Sequence, residues 1–189
     1  MPPPLDPALR RYRALIEQQR IQLSRALGAA FVQLPGHDEA DAARYIAAMG
    51  PVVAGAKAAT TSTSAAFSAL LLDLPTPAVT AQMVATSANL RTPFTAMWHA
   101  FSEHRPYTEA LAAGRSAAEA TGESFVQSTA RRTGDAVAEV TGQKIRWQRV
   151  AEPGSCPWCA ERNGGIYISA ADGDYGHDRC HCDVIPVAA

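Results

Sequence analysis

Trp147-Gln-Arg-Val-Ala-Glu-Pro-Gly-Ser-Cys156-Pro-Trp-Cys159-Ala-Glu-Arg-Asn-Gly164-Gly165-Ile-Tyr-Ile168, followed by Asp172-Gly-Asp-Tyr-Gly-His177-Asp-Arg-Cys180-His181-Cys182-Asp-Val-Ile-Pro-Val187, holds all four cysteines of the chain. They form a C-x-x-C pair and a C-x-C pair, with a histidine three residues ahead of the second. Two paired donor sets joined by a short loop are the pattern of a zinc ribbon or knuckle, because each tight turn presents two ligands and the loop closes the tetrahedron. The candidate ligands are Cys156, Cys159, His177, Cys180 and Cys182. Cys180 and Cys182 are two apart, so on a strand they share one face. The reading adopted is Cys156, Cys159 and His177 plus one of Cys180 or Cys182, holding one structural Zn2+ per chain. His181 falls on the opposite face and reads as a surface residue.

Three other chemistries compete for these residues. Four cysteines allow three disulfide connectivities, but the opening Met-Pro-Pro-Pro carries no apolar signal segment and nothing points to an oxidising compartment. Cys156-Pro-Trp-Cys159 has the spacing of a glutaredoxin dithiol, which needs a helix N-terminus at its first cysteine. Asn163-Gly164-Gly165 leaves little room for that helix. A catalytic zinc of the deaminase kind needs H-x-E ahead of P-C-x-x-C. His37-Asp38-Glu39 is the one H-x-E, far from the cysteines, and Ser155 stands where that motif has proline. No H-E-x-x-H, phosphate loop or G-x-S-x-G elbow occurs, and Asp172, Asp174, Asp178 and Asp183 do not have calcium-loop spacing. The chain reads as non-enzymatic.

A Trp-bearing strand, C-x-x-C, a Gly-Gly turn, H-x-x-C-x-C and a closing Val-x-Pro-Val together resemble the C-terminal part of phage minor head proteins of the Mu F type and their actinobacteriophage relatives. The matching residues are Trp147, Cys156, Cys159, Gly165, His177, Cys180, Cys182, Pro186 and Val187. They cover the last fifth of the chain. The resemblance implies a structural protein of the virion, made in the host cytoplasm and placed in the head interior or at the portal vertex. It would aid head assembly, or DNA packaging and delivery. The implied partners are the portal protein, the major capsid protein or both, and packaged DNA, with multiple copies per virion.

The rest of the chain reads as helices. Its 189 residues suffice for a sizeable core, and 17 basic against 18 acidic residues exclude a nucleic-acid-coating protein. That balance also counts against the alternative function, a zinc-dependent nucleic-acid-binding regulator. No run of 18 apolar residues occurs, so no membrane contact is expected. Asp6-Pro7 reads as cap and first helical residue. Leu9, Tyr12, Ile16, Leu23, Leu27 and Phe31 then recur at helical spacing to about Leu34. Arg10, Arg11, Arg13, Arg20 and Arg25 fill the polar side. A second helix opens at His37-Asp38-Glu39, with His37 read as a surface residue, and breaks or kinks at Gly50-Pro51. The run Val52–Leu72 carries only Lys57 as charge, so it is expected to be largely covered, by its neighbours or by other subunits.

Further helices are expected over Pro77–Leu90, from Thr92-Pro93, and from Thr108-Glu109 to about Val140, with Gly114, Gly122 and Gly134 as weak points. Gly142 is the C-cap. Lys144–Val150 then alternates as a strand, with Ile145 and Trp147 on one face. The expected fold class is mainly α. A multi-helix domain with several long helices, 1–141 (1–5 flexible), precedes a small β-rich zinc-binding module of knuckle or ribbon type, 142–189.

Overall fold

The structure is a computed structural model that describes residues 7–151, 157–167 and 183–188. The expected flexible residues 1–5 and the Asp6 cap lie outside the described residues. Five α-helices and three strands are described: α1 Pro7–Val32, α2 Glu39–Leu71, α3 Thr92–Ser102, α4 Tyr107–Thr141, β1 Ile145–Val150, α5 Pro157–Glu161, β2 Ile166–Tyr167 and β3 Asp183–Ala188. The protein is mainly helical. Two compact units share the long helices: one comprises Met1–Ile16, Ala58–Thr86 and Gln127–Ala189, the other Glu17–Lys57 and Ser87–Val126.

The second of these units is built on aromatic packing. Leu23, Leu27 and Phe31 of α1, Tyr45 of α2, Phe94 and Met97 of α3, and Phe125 and Val126 of α4 are buried. Phe94 meets Phe31 edge-on at 5.1 Å between centroids and Tyr45 at 5.6 Å. Such edge-to-face contacts add roughly 0.5–1.5 kcal/mol each to the area they bury. The glycines of α4 read as weak points are close-approach sites instead. A Cβ on Gly122 would stand 2.8 Å from the Ser24 nitrogen of α1, and one on Gly114 would stand 2.5 Å from the Phe31 ring. What a glycine costs in helix propensity, about 1 kcal/mol, is offset by letting α1 and α4 meet at backbone distance.

The start of α2 corrects one expectation. His37 is buried, 3% exposed, with φ +57. Its Nε2 lies 2.9 Å from the Phe31 carbonyl, which can only accept, so Nε2 carries the proton and Nδ1 faces the Tyr107 hydroxyl at 3.4 Å. The Trp98 indole N–H donates to the His37 carbonyl. Asp38 caps the helix by accepting the Asp41 N–H, while Asp41 accepts the Gly36 and His37 N–H groups. Polar groups packed this tightly are buried because each finds a partner, which composition alone cannot reveal.

In the other unit, Leu9, Tyr12 and Ile16 of α1 are buried, and Tyr12 stacks on Phe67 of α2 at 4.0 Å. The Tyr12 hydroxyl lies 3.3 Å from Ser64 Oγ. The second half of α4 is central here: none of residues 127–138 is exposed.

α2 does not break at Gly50-Pro51; it runs through both residues. Pro51 cannot donate to the Ala47 carbonyl, but both residues are exposed, so water can meet that carbonyl. Nor is Val52–Leu72 largely covered within the chain: Val52, Gly55, Ala59, Ser62, Ala66 and Leu70 are exposed. The helix expected over Pro77–Leu90 is also absent. That segment holds only a 3-10 turn, Ala81–Met83, and tight three-residue bends such as Val79 N–H to the Pro77 carbonyl. Pro77 marks a start, but β-branched Val79, Thr80, Val84 and Thr86 disfavour the continuation. Buried Val84 and a 3.0 Å bond between Thr86 and Thr129 hold the segment instead.

Candidate metal centre

α4 ends at Thr141, and Gly142 follows at φ +65, the left-handed conformation that terminates a helix. The chain then enters β1, the centre of a three-stranded antiparallel sheet ordered β2-β1-β3. Alternation along β1 turns Trp147 and Arg149 to one side, both 1% exposed. The Trp147 indole lies against Gly134 of α4, where any Cβ would collide with it. Arg13 of α1 donates to the Val150 carbonyl at 2.9 Å. These two contacts tie the strand to helices of its own unit.

The chain beyond β1 is shaped by local chemistry. Pro157 opens α5, where its missing N–H costs nothing. Cys159, two residues on, is fully buried. With only five residues, α5 supplies little dipole, so the setting of a redox dithiol is poorly met. Gly164, at φ +80, forms the turn into β2. Its N–H donates to the Arg149 carbonyl at 2.8 Å, and the Arg149 N–H donates to the Gly165 carbonyl at 3.1 Å. Asn163 Oδ1 accepts the Ala151 N–H at 2.9 Å. β3 begins at Asp183, in register with Val150, and continues with Val184 opposite Arg149.

This topology gathers the described flanks of both cysteine pairs at one end of the sheet. β1 leaves there toward α5 with Cys159, and β3 starts there immediately after Cys182. Cys156, His177, Cys180 and Cys182 themselves lie outside the described residues, as do His181, Asp172, Asp174 and Asp178. Among the described residues no group of three or more His, Cys, Asp or Glu side chains could hold a metal. Of the five candidate ligands, Cys159 is the one described, a buried thiol on α5 ahead of the glycine turn into β2.

The structure also brings two residues to this end that the cysteine spacing does not single out. Two guanidinium groups lie over the Trp158 ring, Arg149 at 5.0 Å and Arg162 at 4.1 Å from its centroid. Arg162 is exposed and also pairs with Glu161. Arg149 is the unusual one, because a guanidinium seldom occupies a buried strand position. Its signal in the sequence was its parity with Trp147. The isolated H-x-E has a different setting, at the start of α2: His37 is engaged as described above, and Glu39 pairs with Arg91 at 2.7 Å.

The fold and this end of the sheet define a mainly helical chain that closes on a small antiparallel sheet bearing a cysteine motif. A family model described as VG15 protein matches residues 5–189, and the chain belongs to that family. The family designation suggests a phage protein. No curated protein and no solved structure matches the chain. Among the described residues no helix is long and apolar enough to cross a membrane.

Proposed function

We propose that this chain is a minor head protein of a phage, carried in the virion near the portal vertex, with a structural zinc in its C-terminal segment 142–189. The observation that carries the proposal is the VG15 match over residues 5–189 in a chain whose last fifth has the Mu F-type pattern. Cys156, Cys159, His177 and one of Cys180 or Cys182 would hold the metal. Zinc supplies no reaction here; it cross-links a small segment whose described strands are one of two residues and two of six. The helices would provide contacts to the portal protein, the major capsid protein or both. The test is purification of virions and mass spectrometry of their proteins, with cross-linking to identify neighbours. The chain is expected in particles at low copy number and cross-linked to portal or capsid protein. Its absence from purified particles overturns the proposal.

A further inference from the structure

One side of α2 is left to solvent. Val52, Gly55, Ala59, Ser62, Ala66 and Leu70 are exposed, and they recur every three or four residues along a helix that is continuous over Glu39–Leu71. That spacing keeps them on one seam, the pattern by which helices pair. The seam runs about 27 Å. Lys57, the one charged residue of Val52–Leu72, stands two residues from Ala59 and so about 200° round the helix from it. Leu70, at 63%, is the most exposed large hydrophobic residue among those described, and Val52 is 40% exposed. A Cβ on Gly55 would meet nothing within 4 Å. Whatever covers this seam must match it in charge and in shape. The exposed positions of the other two long helices include Arg10, Arg11 and Arg25 on α1 and Glu109, Arg115 and Glu139 on α4. Pressing an apolar seam onto charges of that kind strips their water and returns no partner. A second α2 carries no such cost. The seam also fits itself: Val52 and Leu70 lie nine residues either side of residue 61, with the small Gly55, Ala59, Ser62 and Ala66 between them. Two copies related by a two-fold axis at residue 61 set Val52 of one against the partner's Leu70 at both ends. Gly55 then meets the partner's Ala66, and Ala59 the partner's Ser62. Small side chains at the centre let two crossing helices approach closely, and the larger ones fill the gap where the helices diverge.

We propose that the exposed seam of α2 pairs with the same seam of a second copy of this chain, antiparallel, about a two-fold axis near residue 61. Two-fold contacts of a surface with itself are the commonest way identical chains associate. One helix against one helix buries less than the interface of an obligate dimer, so the pairing depends on concentration and each chain folds without it. The inference stands apart from both the zinc and the virion readings.

Sedimentation equilibrium of the full chain is measured from micromolar to near-millimolar protein, in reducing buffer so that no disulfide joins copies. The average mass of the wild type should climb from one chain's towards two. Ala59→Glu and Ala59→Lys each bring like charges together beside the axis. Each should stay single over the whole range while melting like the wild type, because position 59 is exposed in the single chain. Mixed in equal amounts the two should pair again, since opposite charges then meet across the axis. A wild type that stays single throughout leaves the seam to another protein and overturns the proposal. Pairing of Ala59→Glu at wild-type strength overturns it too, as does a mixture that stays apart. If a charged variant melts early, Val52→Ser with Leu70→Ser decides, since it adds no charge and changes two exposed residues. Its pairing should weaken at least about tenfold, and unchanged pairing overturns the proposal.

Discussion

Two glycines with opposite surroundings separate propensity from packing. Gly122 faces the Ser24 backbone of α1, and a methyl there meets the nitrogen at 2.8 Å and Cα at 2.9 Å. Backbone cannot swing aside as a side chain can. Gly122→Ala should therefore lower stability by about 1–3 kcal/mol, despite alanine's better helix propensity. Gly55 of α2 meets nothing within 4 Å, so Gly55→Ala should raise stability by about 0.5–1 kcal/mol. Thermal melts followed by circular dichroism check both, and a stabilised Gly122→Ala would show that α1 can give way. Asp41 offers a pH test. Its bond to the Arg44 side chain holds its carboxyl below the ordinary value of 3.8; burial works against this, and the Gly36 and His37 N–H groups add to it. A depressed carboxyl stabilises the fold above its unfolded pKa, and that stability is lost as pH falls through the folded value. Wild type should withstand more urea than Asp41→Asn at pH 7, and the gap should narrow below about pH 4. A gap constant across that range would mean that the variant acts through packing alone.

At the scale of elements, what the sequence disclosed was what short-range chemistry decides. Thr92-Pro93 opens α3, Gly142 closes α4, and the six spaced residues from Leu9 to Phe31 all point into cores, because caps and periodicity depend on neighbours in the chain. His37 and Arg149 were not legible as buried residues, since partners at distant positions decide whether a polar side chain can be covered. Pro77 signalled a helix start, but the β-branched residues after it favour bends. At the candidate metal centre, the sequence singled out the thiols and the glycine turn, whereas the Arg149–Trp158 pairing depends on how β1 meets α5. The ligands can be sorted by substitution. Purified, reduced protein should carry about one zinc per chain by elemental analysis. Cys156→Ser and Cys159→Ser should each abolish zinc binding. Cys180→Ser and Cys182→Ser should differ, one severe and one mild, if a single member of that pair binds. Equal, complete loss at both would mean that four cysteines hold the metal and His177 does not.

For the whole molecule, the charge balance of 17 basic to 18 acidic residues gives little overall attraction to packaged DNA or to any partner, so contacts must rest on local surfaces. The first helix offers one. Arg10 and Arg11 are exposed, while Leu9 and Tyr12 beside them are buried and anchor α1. The other arginines of this helix are not equivalent. Arg13 is half-buried and donates to the Val150 carbonyl, and Arg20 is buried and bonded to Glu17 at 2.7 Å. Replacing those would disturb the fold and confuse the result. Arg10→Glu with Arg11→Glu leaves every described bond in place and should cost no more than about 0.5 kcal/mol per residue. If α1 presents these charges to an acidic surface in the head, the double variant should melt like the wild type but be depleted in purified virions. Depletion should be stronger when particles are assembled in low salt, where exposed charges act over a longer range. Normal incorporation would remove this end of α1 from the interface and direct attention to the uncharged exposed side of α2, where Val52, Ala59, Ala66 and Leu70 have no counterpart to that charge pattern.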